Sequence, residues 1–329
     1  MKLTVFSAKS YDRTALDAAN EDRGHEISYL EARLDADTAG LAEGSDAICI
    51  FVNDEAKDGI VDRLADVGVK GIALRCAGFN NVELEPAQRR GIRVVRVPAY
   101  SPHAVAEHTL GLILALNRKL HRAYSRVREH NFELRGLLGF DLHGKTVGVI
   151  GTGRIGIEVC RILKGFGCTV LAYDLFPNDE VKQLGCEYVE LDRLFRESRI
   201  ITLHCPLTPE THHLINADAI EKMRDDVMIV NASRGAVIET PAAIEGLKSR
   251  KIGHLALDVY EEEEVFFEDV SNEVLQDDML ARLLTFPNVL VTGHQAFFTA
   301  EALGNIAETT LANIDDLAAD RDCPNEVKA

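Results

Sequence analysis

Short apolar runs alternate with stretches of helical spacing along the first hundred residues of the chain. Runs of this length, rich in Val, Ile and Leu, are typical of strands buried within a sheet. The predicted strands are Leu3–Phe6, Ile27–Leu30, Ala47–Val52, Gly71–Arg75 and Ile92–Val97. Amphipathic stretches such as Asp58–Val67 predict helices between them. Such alternation indicates a parallel sheet with helices on both faces.

A second series of strands and helices begins after a break that contains two prolines. Pro98 and Pro102 cannot both lie inside a helix, so this segment is predicted to be a loop or hinge. A long helical pattern then runs from about His103 to Glu129, and Thr299–Asp320 is helical again. Six further strands are predicted at Thr146–Ile150, Thr169–Tyr173, Ile200–Leu203, Val227–Val230, Leu255–Leu257 and Val289–Thr292. A dinucleotide-binding sheet of the Rossmann type has six strands. We expect the tail helix to return to the first unit.

Composition excludes several classes of protein. A length of 329 residues suffices for two domains with cores of their own. The formal net charge of −17 argues against a nucleic-acid surface, which must neutralise phosphates with Lys and Arg. Seven cysteines without C-x-x-C spacing predict neither a disulfide framework nor a zinc site, and we expect no metal. Without a signal peptide or a membrane span, a cytoplasmic protein is expected.

A glycine-rich turn lies between the first strand and the first helix of the second series. It reads Gly151-Thr-Gly-Arg-Ile-Gly156, and Ile155, Val159 and Ile162 follow at helical spacing. In a dinucleotide-binding turn the first glycine makes the tight turn, the second admits the pyrophosphate, and the third lets helix and strand pack closely. The unpaired N–H groups at the start of the helix then face the phosphates. The pattern predicts a dinucleotide site.

An acidic residue, Asp174, ends the next strand and bears on the choice of cofactor. A carboxylate at this position accepts hydrogen bonds from the ribose hydroxyls and repels a 2′-phosphate. Leu175, Phe176 and Pro177 follow it, so no arginine is at hand to hold that phosphate. The sequence therefore favours NAD over NADP.

Three polar stretches follow later strands, at the sheet edge where open α/β sheets bind ligands. They are Asn231–Gly235, Asp258–Glu263 and Gly293–Phe297, which supply an arginine, several glutamates and a histidine. An arginine clamps a carboxylate through two parallel hydrogen bonds. A histidine donates a proton to a carbonyl oxygen, and a neighbouring carboxylate favours its charged form. Each residue alone is as typical of a structural role, but together they suit reduction of a carbonyl next to a carboxylate.

With these motifs, nearly the whole chain resembles the D-isomer-specific 2-hydroxyacid dehydrogenases, and most closely the fermentative D-lactate dehydrogenases. The resemblance rests on Arg75–Asn81, Val97–His108, Asn117–Tyr124, Leu203–Thr208, Asp258–Tyr260, Phe266–Asp269 and Gly293–Phe297. It implies reversible hydride transfer between NADH and pyruvate to give D-lactate. Glyoxylate, hydroxypyruvate or a branched 2-keto acid stays open as substrate, because one methylene changes binding by only about 1–3 kcal/mol. An NAD(H)-sensing corepressor shares the fold, but the chain has no basic segment or disordered tail for such partners.

The resemblance implies roles for three residues of the polar stretches. Arg234 would bind the substrate carboxylate and polarise its keto oxygen. His294 would be the acid/base, with Glu263 as its carboxylate partner. Spacing alone does not choose Glu263 over Glu261 and Glu262.

Contacts with cofactor and substrate are likewise implied by the resemblance. Asp258 would contact the nicotinamide amide, whereas Thr211 stands where relatives often carry Asn, which puts that cofactor contact in doubt. The implied cofactor set is Gly151, Gly153, Arg154, Ile155, Gly156, Asp174, Cys205, Pro206, Thr211, Ala232, Ser233 and Asp258. The implied substrate set is Phe51, Ala77, Gly78, Tyr100, Arg234 and Phe297, and Phe298 would tune the size of the pocket.

The resemblance also implies the architecture: two doubly wound parallel-sheet α/β domains, Rossmann-like and flavodoxin-like, with a cleft between them. We expect a discontinuous substrate domain at residues 1–100 and 298–329 and an NAD-binding domain at 101–297. The crossings near Tyr100 and Phe297 would act as hinges. The helix from Pro102 to Tyr124 is apolar on more than one face, which favours a homodimer or a dimer of dimers.

Overall fold

The structure is a computed structural model that describes residues 1–263, 266–267 and 270–329. Glu264 of the acidic run, and Glu268 and Asp269 of the Phe266–Asp269 motif, lie outside the described residues. The chain divides into two compact units, Met1–Ser101 with Phe298–Ala329, and Pro102–Phe297. Each unit is built on a largely parallel sheet, so the predicted α/β fold class is confirmed.

The sheet of the first unit contains all five strands predicted from its apolar runs. Its strands are β1 (Lys2–Val5), β2 (Glu26–Tyr29), β3 (Ala47–Ile50), β4 (Gly71–Leu74), β5 (Arg93–Arg96) and β13 (Glu326–Val327). Their order is β13-β5-β4-β3-β1-β2, and only β13 runs antiparallel, on β5 at the edge. The parallel order 2-1-3-4-5 is that of flavodoxin-like sheets. At two residues, β13 is too short to leave a pattern in the sequence.

Helices cover both faces of this sheet. They are α1 (Ser10–Asn20), α2 (Ile60–Asp66), α3 (Leu84–Arg89) and α12 (Ala300–Ala318), with a 3-10 turn at Ala39–Ala42. Leu311 and Ile314 of α12 are buried in one core with Leu3 and Val5 of β1. The tail helix thus packs in the core of the first unit, to which it was expected to return.

The sheet of the second unit has seven strands rather than the six predicted. They are β6 (Thr146–Ile150), β7 (Thr169–Tyr173), β8 (Glu187–Tyr188), β9 (Ile200–Leu203), β10 (Val227–Asn231), β11 (Ile252–Leu257) and β12 (Val289–Val291). Their order is β12-β11-β10-β9-β6-β7-β8, the Rossmann order with one strand added beside β11. The missed strand is β8, whose two residues pair with β7 at the edge and carry no apolar run.

Eight helices accompany this sheet among the described residues of the second unit. They are α4 (Pro102–Arg118), α5 (Leu120–Arg128), α6 (Arg154–Gly165), α7 (Asp179–Gln183), α8 (Leu191–Glu197), α9 (Ala217–Lys222), α10 (Thr240–Ser249) and α11 (Asp278–Leu284), with a 3-10 turn at Gly235–Val237. None of the helices in the described part of the chain is long and apolar enough to cross a membrane. Every residue of β9 and β10 is buried, as expected for central strands covered on both faces.

The single long helix predicted from His103 to Glu129 is wrong. Lys119 adopts a left-handed conformation (φ 52°) and separates α4 from α5. Its ammonium group donates to the Leu138 carbonyl at 2.7 Å, and the Asn117 amide donates to the Phe140 carbonyl at 2.7 Å. These contacts tie the helix break to the segment that folds back on it. With neither glycine nor proline at the break, the sequence carried no signal for it.

Candidate active site

The glycine-rich turn leaves β6 and enters α6 through Gly151, Gly153 and Gly156. Gly151 has φ +92°, and a Cβ there would lie 2.5 Å from the backbone nitrogen of Cys205. A Cβ on Gly156 would lie 2.0 Å from the Gly151 carbonyl oxygen, so only glycine allows this close packing. Gly153, by contrast, has nothing within 4 Å of its Cβ position among the described residues. The outer face of the turn is therefore open, as a bound pyrophosphate requires.

The first turn of α6 offers unpaired donors beside that open face. The first hydrogen bond inside the helix joins the Ile157 N–H to the Gly153 carbonyl at 3.0 Å. The N–H groups of Arg154, Ile155 and Gly156 consequently have no carbonyl partner within the helix. Backbone donors at the positive end of a helix dipole bind phosphate oxygens. These residues fit the diphosphate of a dinucleotide.

Asp174 ends β7 and is tied to the same turn. Its Oδ2 accepts from the Thr152 N–H at 2.6 Å and from the Thr152 hydroxyl at 3.1 Å, and its Oδ1 accepts from the Phe176 N–H at 2.9 Å. The Thr152 hydroxyl also contacts the Tyr188 hydroxyl at 2.7 Å. Since a carboxylate oxygen has two lone pairs, Oδ1 retains one for a ribose hydroxyl. Sequence analysis did not predict a role for Thr152 or Tyr188. The glycine motif leaves the residue type at position 152 open, and Tyr188 lies on a short edge strand that carries no motif.

The loop after β9 packs beneath the glycine-rich turn. Burial lowers the pKa of His204 to about 3, so its imidazole is neutral, and it contacts the Thr202 hydroxyl at 2.8 Å. Burial raises the pKa of the Cys205 thiol to about 11, which leaves it uncharged at neutral pH. Pro206 is exposed beside it. The Thr211 hydroxyl donates to the Pro206 carbonyl at 2.6 Å, so it holds this loop, and its cofactor contact stays a prediction.

Three neighbouring strands bring the predicted catalytic stretches to one sheet edge. Asn231 at the end of β10 pairs in register with Leu257 of β11, and Leu257 pairs with Val291 of β12. The polar stretches begin at these aligned residues or within two residues of them. A Cβ on Gly235 would lie 1.8 Å from the Tyr260 carbonyl oxygen, which shows how closely the first two stretches pack.

Arg234 lies on a loop that the Asn231 side chain organises. The Asn231 amide donates to the Arg234 carbonyl at 2.9 Å, and its oxygen accepts from the Ser233 N–H at 3.0 Å and hydroxyl at 2.9 Å. Ala232 is buried within the same loop. The Arg234 guanidinium is half-buried and donates to the Ser233 carbonyl at 2.7 Å. Among the described residues no carboxylate lies within 4.0 Å of it.

Glu263 and His294 form a hydrogen-bonded pair. The His294 Nδ1 lies 2.7 Å from Oε2 of Glu263, and Oε1 of Glu263 accepts from the Tyr260 N–H at 2.8 Å. A carboxylate only accepts, so the proton of this pair resides on Nδ1. His294 has a left-handed backbone (φ 51°), and its ring lies 5.6 Å from that of Phe267. The imidazole is thus held through Nδ1, and Nε2 is the nitrogen that faces away from Glu263.

The structure distinguishes the neighbouring glutamates that spacing left open. Glu261 pairs with His213 at 2.5 Å, away from His294. Glu262 is exposed. Of the glutamates at 261–263, Glu263 is the one that contacts His294.

Asp258 is fully buried and holds the loop that carries His294. Its Oδ1 accepts from the Thr292 hydroxyl at 2.6 Å and the Gln295 N–H at 2.9 Å, and its Oδ2 accepts from the Ala296 N–H at 2.9 Å. The His108 Nε2 of α4 lies 3.2 Å from Oδ1. Burial raises the pKa of this carboxyl, but the hydrogen bonds outweigh burial and the net pKa is lowered. Both oxygens are thus engaged by the protein, and the predicted contact of Asp258 with nicotinamide stays a prediction.

The predicted substrate contacts of the first unit lie after β3, β4 and β5. The N–H groups of Ala77 and Gly78 have no hydrogen-bond partner among the described residues. Both donors are therefore available for a substrate carboxylate. The Phe51 ring carries the Arg75 guanidinium at 4.9 Å, and the Tyr100 carbonyl accepts from the Asn305 amide at 2.7 Å. Their roles toward substrate stay predictions.

The two phenylalanines at the end of the catalytic loop fall on either side of the division between units. Phe297 is buried and ends the second unit, and Phe298 begins the C-terminal part of the first. The Phe298 ring packs edge-on against Tyr11 of α1, with centroids 4.7 Å apart. The roles of both rings in shaping a substrate pocket stay predictions.

The sequence is similar to known proteins along its whole length. The family model for the NAD-binding domain of D-isomer specific 2-hydroxyacid dehydrogenases matches residues 110–296. The 2-hydroxyacid dehydrogenase homolog of Haemophilus influenzae is 57% identical over 99% of this chain and 99% of its own length. D-lactate dehydrogenase of Escherichia coli is 55% identical over 99% of this chain and 100% of its own.

A solved structure agrees with this likeness. The pyruvate reductase of Chlamydomonas reinhardtii has a TM-score of 0.95 and 47% identity, with 99% of this chain and 98% of that chain covered. This chain therefore shares both sequence and fold with these enzymes. It also carries the glycine turn, the Asp174 carboxylate and the three polar strand ends described above. The chain belongs to the D-isomer-specific 2-hydroxyacid dehydrogenases and is an NAD-dependent oxidoreductase.

Proposed function

We propose that the protein is a D-lactate dehydrogenase that interconverts pyruvate and D-lactate. The observation that carries this proposal is the Glu263–His294 pair at 2.7 Å, on the sheet edge that also presents the Arg234 guanidinium. The named activities of the Escherichia coli and Chlamydomonas reinhardtii relatives support pyruvate as the substrate. Reduction of glyoxylate, hydroxypyruvate or a branched 2-keto acid is the alternative within the same family.

Residues of the second unit would hold the cofactor. The N–H groups at the start of α6 would bind the pyrophosphate, and Asp174 the ribose hydroxyls. NADH, when bound, supplies a hydride for the keto carbon, and the reverse reaction returns it.

Arg234 and His294 act on different groups of the substrate. Arg234 binds the carboxylate through two parallel hydrogen bonds and fixes which face of the keto group is presented. Since Nδ1 keeps its proton in the hydrogen bond to Glu263, His294 donates from Nε2 to the keto oxygen as that oxygen gains negative charge. In the oxidation of D-lactate, the same Nε2 removes the hydroxyl proton.

A substrate panel tests the proposal directly. Steady-state reduction of pyruvate, 2-ketobutyrate, glyoxylate and hydroxypyruvate with NADH gives kcat/KM for each compound, and chiral chromatography identifies the product. We expect the highest kcat/KM for pyruvate and D-lactate as the product. A higher kcat/KM for glyoxylate or hydroxypyruvate would establish the alternative, and L-lactate would contradict the assigned face.

Two variants of Arg234 test its role. Arg234→Ala should remove pyruvate reduction, whereas Arg234→Lys keeps the charge but loses the planar, bidentate geometry and should retain only a small part of kcat/KM. Cofactor binding, measured by NADH fluorescence, should persist in both. Undiminished pyruvate reduction by Arg234→Ala would sink the assignment.

We infer that the chain forms a homodimer through α5 and the segment after it. No residue of α5 is buried, and Leu120 and Tyr124 are exposed on it. Leu134 and Leu138, which follow, are 80% and 89% exposed. Several large apolar side chains exposed within one segment of the chain indicate an interaction surface. The seven cysteines are all free, which supports a reducing, cytoplasmic compartment.

Light scattering after gel filtration tests the homodimer. The wild-type chain should have twice the mass of one chain, or four times for a dimer of dimers. Leu134→Asp with Leu138→Asp should reduce the mass, while Leu41→Asp, at an exposed leucine of the first unit, should not. A wild-type mass equal to one chain would refute the inference.

A further inference from the structure

Two histidines and a glutamate of the second unit lie together outside the candidate active site. His212, His213 and Glu261 each offer one ligand atom, and these atoms lie within 4.8 Å of one another. The His213 Nε2 is 2.5 Å from Oε1 of Glu261, and the two imidazole rings are stacked with centroids 3.9 Å apart. Glu261 is 48 residues from His213 in sequence, so no spacing motif announced the cluster.

The backbone brings the two adjacent imidazoles to the same side. His213 is left-handed (φ 52°), and this turns its side chain back over that of His212. In an extended segment, successive side chains would point to opposite sides. A left-handed residue other than glycine costs free energy, and the structure maintains it here.

The cluster is anchored from both directions. The His213 N–H donates to the Ala236 carbonyl at 2.8 Å, and Ile215 forms a bridge with Ile238. The second carboxylate oxygen of Glu261 accepts from the Thr240 N–H at 3.2 Å. The ligand atoms are thus held on ordered backbone segments, and are not chance neighbours on long surface side chains.

We propose that His212, His213 and Glu261 form a binding site for a divalent transition-metal ion of the Zn²⁺ class. Two imidazole nitrogens and one carboxylate oxygen are a ligand set that Zn²⁺ takes in sites with three protein ligands, which leave a fourth position for water. Mg²⁺ and Ca²⁺ prefer sets made of oxygen atoms and would bind poorly here. The cysteine pattern of the sequence predicted no zinc site. The ligand set proposed here uses no thiolate, so the cysteine pattern could not have revealed it.

The charges and exposure of the cluster suit a cation. His212 is exposed, so an ion reaches the site from solvent, and His213 and Glu261 are half-buried. Both oxygens of the Glu261 carboxylate are held in place, one by His213 and the other by the Thr240 N–H.

Metal binding requires a small local rearrangement. With metal–ligand bonds of about 2.0–2.2 Å in tetrahedral geometry, neighbouring ligand atoms lie roughly 3.4 Å apart. The His213–Glu261 contact of 2.5 Å must therefore widen by somewhat less than 1 Å. The metal would then lie between the two groups in place of their hydrogen bond.

The site lies next to catalytic segments without using their side chains. Glu261 is two residues before Glu263, and the Ala236 carbonyl that anchors His213 is two residues after Arg234. A bound ion would join the loop at His212 and His213 to both of these segments. It should consequently stabilise the native state of the second unit.

Co²⁺ and Zn²⁺ provide the test, with the full chain and no other ligand. The wild-type protein should bind one Co²⁺ per chain with the visible d–d absorption of a four-coordinate ion, and Zn²⁺ should displace it and raise the Tm. His212→Gln and His213→Gln should each abolish the absorption and the Tm shift. His212→Gln alters an exposed side chain, so it should fold and keep the metal-free activity.

A matched control is His103→Gln, because His103 pairs with Glu158 at 3.4 Å in the same unit without a second histidine. It should bind the metal as the wild type does. Three outcomes would overturn the site: no Co²⁺ spectrum in the wild type, unchanged binding by His212→Gln, or a charge-transfer band of cobalt thiolate, which would place the ion on cysteine.

Discussion

Single residues differ in how firmly the structure holds them, and the proposed acid/base is held by one carboxylate. Glu263 uses one oxygen for the Tyr260 N–H and the other for His294. Because both oxygens are engaged, the carboxylate is fixed in place, and it fixes the proton on Nδ1 of the imidazole. The reactivity of His294 therefore depends on a residue that does not touch the substrate itself.

Replacing Glu263 with glutamine should disable this pair. The amide in its place no longer offers two acceptor oxygens and loses the negative charge beside the imidazole, so we expect kcat/KM for pyruvate to fall about 10²-fold or more. Steady-state kinetics measure the loss, and circular dichroism checks the fold. Glu262→Gln, one residue away and exposed, is the control and should retain nearly full activity. Comparable activity of the two variants would refute the role of Glu263.

Asp174 should control the choice between NAD and NADP. Asp174→Asn keeps an oxygen that accepts from the Thr152 N–H but removes the charge that repels a 2′-phosphate. We expect the ratio of kcat/KM for NADH to that for NADPH to fall about tenfold, which corresponds to roughly 1.4 kcal/mol. The ratio is measured with both cofactors at fixed pyruvate. An unchanged ratio would show that discrimination arises elsewhere.

At the scale of elements, strand register and one buried carboxylate together place the catalytic loop. The ends of β10, β11 and β12 are aligned through Asn231, Leu257 and Val291. Asp258, the residue after β11, then accepts hydrogen bonds from the segment after β12, whose donors are one hydroxyl and two backbone N–H groups. Helix α4 contributes His108 to the same carboxylate. His294 is thus positioned by two strands and a helix.

Asp258→Asn should loosen that segment. An amide in place of the carboxylate directs N–H groups toward the N–H donors of the loop, and leaving such buried groups unpaired costs about 1–3 kcal/mol. We expect the free energy of unfolding to fall by that amount and kcat to fall with it, because His294 is displaced. Urea unfolding and kinetics measure the two effects. As a control, Asp278→Asn changes an exposed carboxylate of α11 and should alter neither.

At the scale of the whole molecule, the buried neutral imidazole of His204 makes folding sensitive to acid. Burial lowers its pKa to about 3, whereas an unfolded chain has a histidine pKa of about 6.5. Below about pH 6.5 the unfolded chain therefore binds a proton that the native state does not, and the free energy of unfolding falls as the pH falls toward 3. Above that range His204 has no effect.

His204→Gln should remove part of this acid sensitivity. At about pH 5, the wild-type histidine lowers the free energy of unfolding by about 2 kcal/mol relative to neutral pH. The difference between urea unfolding at neutral pH and at about pH 5 should shrink by that amount in the variant. His130→Gln, at an exposed histidine, should keep the wild-type difference. If His204→Gln kept it as well, the neutral imidazole would not be its cause.

The sequence alone determined the elements with strong local patterns. The apolar runs that became β1 and β6 are buried on both faces, so each leaves a continuous hydrophobic signature. Gly151 and Gly156 were predictable because a Cβ at either position would collide with neighbouring backbone. The two-residue strands β8 and β13 and the break at Lys119 were not, since edge pairing and the contacts of Leu138 and Asn117 are long-range.

Only the tertiary structure decided which side chains meet. Spacing could not choose among Glu261, Glu262 and Glu263, because the choice depends on where His294 lies after a different strand. Nor could it place His213 against Glu261, or both oxygens of Asp258 on the catalytic loop. Periodicity records the local free energy of burying one face of an element. Contacts between distant segments depend on strand order and register, which no local pattern records.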